Sequence, residues 1–262
     1  MAHLKEIGAV YRAGADGVLP RIGSAPTGDW QLAARDAANQ LHERLGASLD
    51  AVILRGSAAR AMAVVGSSDL DLIALTKGAH AAPESLDAKG FPELDVEVIT
   101  IPSDDFLHTK RWQWMRFNLA FCGWTVWGRD VLEGLPEPVL DRSAIAHLHG
   151  LSRWIEVWAE HYAAANDRRE RHAVCRWVMK RCVRSAFEGV MIDKGVYSRD
   201  LYPCAKIASE EHPLFKNALF SAAELAVAPT ESIEELSEVV SQCRPLLEDL
   251  NRKLLCSRRP HS

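Results

Sequence analysis

Leu54-Arg55-Gly56-Ser57-Ala58-Ala59-Arg60, and after it Ser67-Ser68-Asp69-Leu70-Asp71-Leu72, is the stretch whose reading decides the fold. Val52-Ile53-Leu54 ahead of the glycine is a short apolar run of the kind that forms a buried strand. Gly56-Ser57 breaks it with a small, flexible pair, and Ala58 to Val65 is predicted as a short helix. Ser67-Ser68 turns the chain, and Asp69-Leu70-Asp71-Leu72-Ile73-Ala74-Leu75 alternates as a second strand. In a strand, residues two apart share a face, so Asp69 and Asp71 present their carboxylates side by side.

Two carboxylates on one face of an otherwise apolar strand repel each other and lose hydration. A divalent cation between them removes both objections, and hard Mg²⁺ is commonly held by one or two carboxylates together with substrate phosphates. The Gly-Ser turn is the complement of such a site. Gly56 lets backbone approach a phosphate, the Ser57 hydroxyl can donate to it, and a helix N-terminus favours an anion. An isolated Asp-x-Asp is ordinarily a solvated strand edge. Strand, Gly-Ser, short helix and Asp-x-Asp strand in succession describe a metal–nucleotide site instead.

Gly56-Ser57, the eleven-residue interval and Asp69-Leu70-Asp71 resemble the signature of the DNA polymerase β-like nucleotidyltransferases. The wording Gly-Ser-Ala-Ala-Arg and Ser-Asp-Leu-Asp-Leu is most similar to small bacterial members, among them the aminoglycoside adenylyltransferases. The resemblance covers residues 50 to 102. It implies a third carboxylate on a neighbouring strand, and Leu94-Asp95-Val96-Glu97-Val98-Ile99 offers two on one face. Asp95 is preferred because the family's strands usually open with the carboxylate; Glu97 is the reserve.

The implied chemistry is metal-dependent transfer of an NMP, AMP from ATP being favoured, to a hydroxyl of a small-molecule acceptor such as an aminoglycoside, with release of pyrophosphate. Two Mg²⁺ ions would be held by Asp69, Asp71 and Asp95, which would also be the catalytic residues. Gly56, Ser57 and Arg60 would hold the nucleotide, Arg60 lying three residues beyond Ser57 and so on the same side of a short helix. Arg55 points away from Leu54, and its role stays open.

Composition agrees with such a protein. A chain of 262 residues accommodates two modest domains, and 48% hydrophobic content supports a sizeable core. The formal net charge of −4 argues against a nonspecific nucleic-acid binder or a nucleic-acid-end polymerase; the partners that the resemblance implies are an NTP and a small acceptor. The N-terminus carries charges where a signal peptide needs apolar residues, and no run spans a bilayer, so a cytoplasmic monomer or homodimer is expected. Six cysteines without a Cys-x-x-Cys pair are read as reduced core residues.

The expected fold is α+β: a nucleotidyltransferase domain at 1–135, with a mixed sheet flanked by helices, then an α-helical bundle at 136–262. Residues 1 to 28 are predicted as a short helix and a loop. A helix from Trp30 to Leu45 places Ala34, Ala37, Ala38, Leu41 and Leu45 on one stripe. Lys77 to Pro92 reads as a loop. Ser103 is expected to cap a helix bearing Asp104 and Asp105 in its first turn. Phe121 to Asp130 contains a further strand. Beyond Pro136 the apolar spacing predicts helices around Leu148–Tyr162, over Arg171–Asp193 up to Gly195, and from the capping box Ser232-Ile233-Glu234-Glu235 onward. Glu156, Glu160, Arg176, Lys180, Arg184 and Tyr197 are candidates for an acceptor-facing wall.

Two other readings stay open beside the enzyme. One is a degenerate NTP-binding regulator. The other is a toxin–antitoxin-type module, disfavoured because Arg168 and His172 have three residues between them and not the four to six such a ribonuclease motif requires.

Overall fold

The structure, a computed structural model, describes residues 4–64, 68–81, 86, 91 and 94–256. The first part of the chain runs β1 (Tyr11–Arg12), α1 (Asp29–Leu45), β2 (Leu49–Arg55), β3 (Leu70–Thr76), β4 (Val96–Pro102), α2 (Ser103–His108), α3 (Gln113–Cys122) and β5 (Trp124–Gly128). It continues α4 (Leu151–Ala164), α5 (Arg168–Glu188), α6 (Met191–Lys194), β6 (Val196–Tyr197), α7 (Leu201–Glu211), α8 (Lys216–Val227) and α9 (Ile233–Cys256). The fold is α+β, and the chain divides into two compact units: residues 15–139, and residues 1–14 together with 140–262.

The first of these units is a four-stranded mixed sheet in the order β4-β3-β2-β5. β2 pairs antiparallel with β3 and β5, whereas β3 and β4 are parallel. The two central strands are apolar along nearly their whole length because both faces of the sheet are covered. On one face Val52, Leu54, Leu70, Leu72 and Ala74 pack against Ala33, Ala34, Ala37, Ala38 and Leu41 of α1. On the other, Ala51, Ile53, Ile73, Leu75 and Ile101 pack against Phe106 of α2 and Met115, Leu119 and Ala120 of α3. The alanine stripe of α1 lets that helix approach the sheet closely, as its spacing predicts.

Several local expectations are corrected here. Ser103 is the first residue of α2 and its side chain caps nothing; its hydroxyl donates to Asp50 at the far end of β2. The segment before α1 holds no described helix. Residues 15–28 turn at 15–17 and then run without regular structure along the sheet unit, with Leu19 N–H donating to the Pro138 carbonyl, Ile22 N–H to the Phe121 carbonyl and Ser24 N–H to the Ala59 carbonyl. Most of the loop expected over Lys77 to Pro92, and Ser67 of the motif, lie outside the described residues.

In the second unit α5 is the central helix, burying Cys175, Val178, Met179, Cys182, Val183, Ala186 and Phe187. It ends at Gly189, earlier than its apolar spacing predicts, and Gly195 caps α6 in the left-handed conformation (φ 62°). The capping box at the start of α9 forms by half: Glu235 N–H donates to Ser232 Oγ at 3.1 Å and that hydroxyl donates to Glu234, but the Ser232 N–H donates to Thr230 Oγ1 and not to Glu235. The apolar stripe of α9 (Leu236, Val240, Cys243, Leu247, Leu250) is buried. Tyr11 of β1 pairs with Tyr197 of β6, which anchors the N-terminus in this unit and buries Tyr197. The described cysteine side chains are buried thiols. Cys182 hydrogen-bonds Cys243, and that bond followed by burial pushes its thiol well up, out of reach of thiolate chemistry.

Candidate functional site

One end of the sheet gathers the residues the sequence singles out. β2 finishes there with Arg55, and β3 and β4 both begin there. Gly56 takes φ +79°, in the region that favours glycine, and a Cβ on it would lie 2.3 Å from Asp71 Oδ2. The glycine is therefore required twice, by its backbone angle and by a carboxylate pressed against its Cα. After it, Ser57 is helical in conformation, and Ala58–Arg60 make a single 3₁₀ turn.

Of the helix predicted over Ala58 to Val65, Val65 lies outside the described residues, and over residues 58–64 no α-helix forms. Ala58 and Ala59 are drawn into the core beneath α1, and Ala61 then adopts a left-handed conformation (φ 54°) that stops the turn. The segment after Gly56 is thus a tight turn and not a helix N-terminus. Arg60 folds back over it, its Nε–H donating to the Gly56 carbonyl at 3.3 Å.

Register fixes the carboxylates. Leu70 pairs with Val96 and Asp71 with Glu97 in the parallel ladder, and the Leu70 N–H donates to the Asp95 carbonyl at 2.8 Å. Residues in parallel register share a face at about 4.8 Å strand separation. Glu97 is accordingly the lateral neighbour of Asp71, and Asp95, one residue before β4 begins, stands in the same relation to Asp69. All four lie on the face that Ile73 and Leu75 bury further along. Asp71 is where the cover ends, its side chain 24% exposed against none for Ile73.

Sequence reasoning left Arg55 without a role. It pairs with Asp71 across the antiparallel ladder, and its guanidinium donates to Asp71 Oδ1 at 2.9 Å. The signal was present: strand alternation from Ile53 puts Arg55 on the face of Asp71, but only the β2–β3 register shows that they are opposite one another.

Among the described residues no three His, Cys, Asp or Glu side chains converge closely enough to hold a metal ion. The donor set still suits one. Asp69, Asp71, Asp95 and Glu97 are all hard oxygen ligands on adjacent strand ends, and the group in contact with Asp71 is already a cation, the Arg55 guanidinium. A small cavity of about 100 Å³, between α1 and β5 and lined in part by Gln31, Arg35 and Trp124, opens on the opposite, α1 face.

A second concentration of charge lies within the helical unit. Glu188 is 3% exposed, with His147 Nε2 at 3.1 Å and Arg199 at 3.2 Å. Burial alone would raise its carboxyl pKa, but His147, then Arg199 and Arg181, overcome that and bring it to about 2. Arg184 donates to the Arg199 carbonyl at 3.0 Å. Of the residues expected on an acceptor wall, Glu156 and Glu160 are exposed on α4, Arg176, Lys180 and Arg184 are partly buried on α5, and Tyr197 is core.

No family model matches the sequence, and no curated protein matches it. Among solved structures, the spectinomycin adenyltransferase of Enterococcus faecialis, crystallised with ATP and spectinomycin, shares the fold with a TM-score of 0.57 and 12% identity. The match covers 83% of this chain and 98% of that one. At that identity the likeness is one of fold. No described helix is long and apolar enough to cross a membrane.

Proposed function

We propose that this protein is a metal-dependent nucleotidyltransferase that moves AMP from ATP to a hydroxyl of a small, aminoglycoside-like acceptor and releases pyrophosphate. The observation that carries the reading is the juxtaposition at one sheet end: a left-handed Gly56 pressed against Asp71, with Glu97 in register beside it. The fold shared with an adenyltransferase that was solved with ATP supports the choice of donor.

In this mechanism Ser57 and the backbone of the turn bind the β and γ phosphates, and Arg60 adds charge at the same turn. Asp69 and Asp71, with Asp95 beside Asp69, would hold Mg²⁺, which when bound would supply the positive charge that offsets the negative charge of the reacting triphosphate. Glu97, next to Asp71, accepts the proton of the acceptor hydroxyl as its oxygen bonds to the α-phosphorus. The bond from that phosphorus to the α–β bridging oxygen breaks, and the pair leaves with pyrophosphate.

Thermal unfolding against ATP, GTP, CTP and UTP, with and without Mg²⁺, tests this. At a hundredfold excess over Kd, a ligand of the native state adds about 2.7 kcal/mol, roughly 5–10 °C for a chain of this size. A Mg²⁺-dependent rise with ATP that disappears in Asp69→Ala/Asp71→Ala is expected. No rise with any nucleotide, or the same rise in the double variant, refutes the site.

Gly56→Ala gives an independent check on the turn. The left-handed angle costs a non-glycine residue about 1–2 kcal/mol, so the melting temperature should fall by roughly 2–8 °C. The added methyl also displaces the Asp71 carboxylate, so transfer should fall by more than about tenfold while α1 and the sheet persist. Full activity in a folded Gly56→Ala protein would contradict the close approach.

A further inference from the structure

Arg55 has no part in the phosphate, metal or proton roles assigned above, yet it is the group in contact with Asp71. Arg55, Asp71 and Glu97 lie in line across β2, β3 and β4, one positive group and two negative. The guanidinium and the carboxylate are 15% and 24% exposed, so water screens them only partly. The remaining oxygen of Asp71 faces Gly56, which confines the carboxylate on that side. Arg55 Nε–H is buried and meets no hydrogen-bond acceptor among the described residues, so the guanidinium holds a donor in reserve.

We propose that Arg55 gates the carboxylate site: it occupies the positive position beside Asp71, so a divalent cation is admitted only together with the nucleotide. This rests on the nucleotidyl-transfer reading. A cation bonded at about 2.1 Å to Asp71 Oδ1 stands within roughly 5 Å of the guanidinium nitrogen that contacts it, and like charges at that range in a largely buried site oppose each other. A triphosphate reverses the balance. Its oxygens accept from the guanidinium, including the spare Nε–H, and Asp71 is released to the metal.

The test is Mn²⁺ binding, read from the paramagnetic resonance signal of the free ion, with and without ATP and with no acceptor present. Wild type, Arg55→Met, Arg55→Lys and Asp69→Asn are compared, their folding checked by circular dichroism. Arg55→Met, which keeps the stem and removes the charge, should bind Mn²⁺ alone at least about tenfold more tightly than wild type, and ATP should then add less to that affinity. Arg55→Lys, which keeps the charge, should stay within about threefold of wild type. Arg55→Met binding Mn²⁺ no more tightly than wild type overturns the gate, as does Arg55→Lys binding like Arg55→Met. Wild type taking up Mn²⁺ with ATP, and losing it in Asp69→Asn, upholds the transfer reading whatever Arg55 does. Wild type taking up no Mn²⁺ with ATP sinks that reading and the gate with it.

Discussion

Asp71→Asn is expected to give a folded protein whose nucleotidyl transfer falls at least about a thousandfold, roughly 4 kcal/mol of lost transition-state stabilisation. The substitution separates charge from shape. Asparagine has the volume of aspartate, and its carbonyl oxygen can still accept from Arg55, which now donates to Oδ1 at 2.9 Å. The pair is 15% and 24% exposed, so its loss as an ion pair should cost about 1–3 kcal/mol, which leaves the fold standing. Leu70 and Leu72, which lock the strand on either side of Asp71, are buried and unchanged. What disappears is the negative charge that would hold a cation against the triphosphate. Pyrophosphate release in the presence of an acceptor, with melting temperature measured alongside, checks the prediction. Wild-type transfer by a folded Asp71→Asn protein would sink the mechanism.

The parts of the site that were legible in the sequence are those set by short-range rules. Period-two alternation shows that Asp69 and Asp71 share a face, and that Asp95 and Glu97 share one, before any partner strand is known. The alanine stripe of α1 and the capping box of α9 are equally local. What escaped depends on pairing at long range. That Glu97 and not Asp95 is the neighbour of Asp71 follows from the β3–β4 register, and the Arg55–Asp71 pair follows from that of β2 and β3. Ala58-Ala59-Arg60-Ala61 has high helix propensity, yet the core beneath α1 takes the two alanines and leaves a 3₁₀ turn. Tyr11 falls in the stretch read as a short helix and a loop because its strand partner, Tyr197, lies far along the chain. Helices α7 and α8 lie in a stretch where alanines and prolines blur the apolar period. Pro203 sits in the first turn of α7, where its missing N–H costs no hydrogen bond.

The charged cluster around Glu188 is the long-range case with the largest consequence for stability. Its partners come from 11 and 41 residues away, which no motif announces. A carboxylate buried this deeply is tolerated only because His147, Arg199 and Arg181 surround it. Glu188→Gln keeps the shape and removes the charge, leaving Arg199 and Arg181 uncompensated, and should destabilise the protein by about 3–5 kcal/mol at neutral pH. Acid sensitivity follows from the same pairing. The folded carboxyl titrates at about 2 against an ordinary value of 4.5, so its stabilisation is fully present above about pH 4.5. It is lost as the pH falls toward 2, because the unfolded chain takes up that proton first; the shift corresponds to about 3 kcal/mol. Urea unfolding followed at the helix band of the circular dichroism spectrum, at pH 7 and at steps from 5 downward, measures both effects. Wild type should lose stability more steeply than Glu188→Gln below pH 4.5, so the gap between them narrows. A gap that stays constant with pH would mean that Glu188 is not the ionised centre of the cluster.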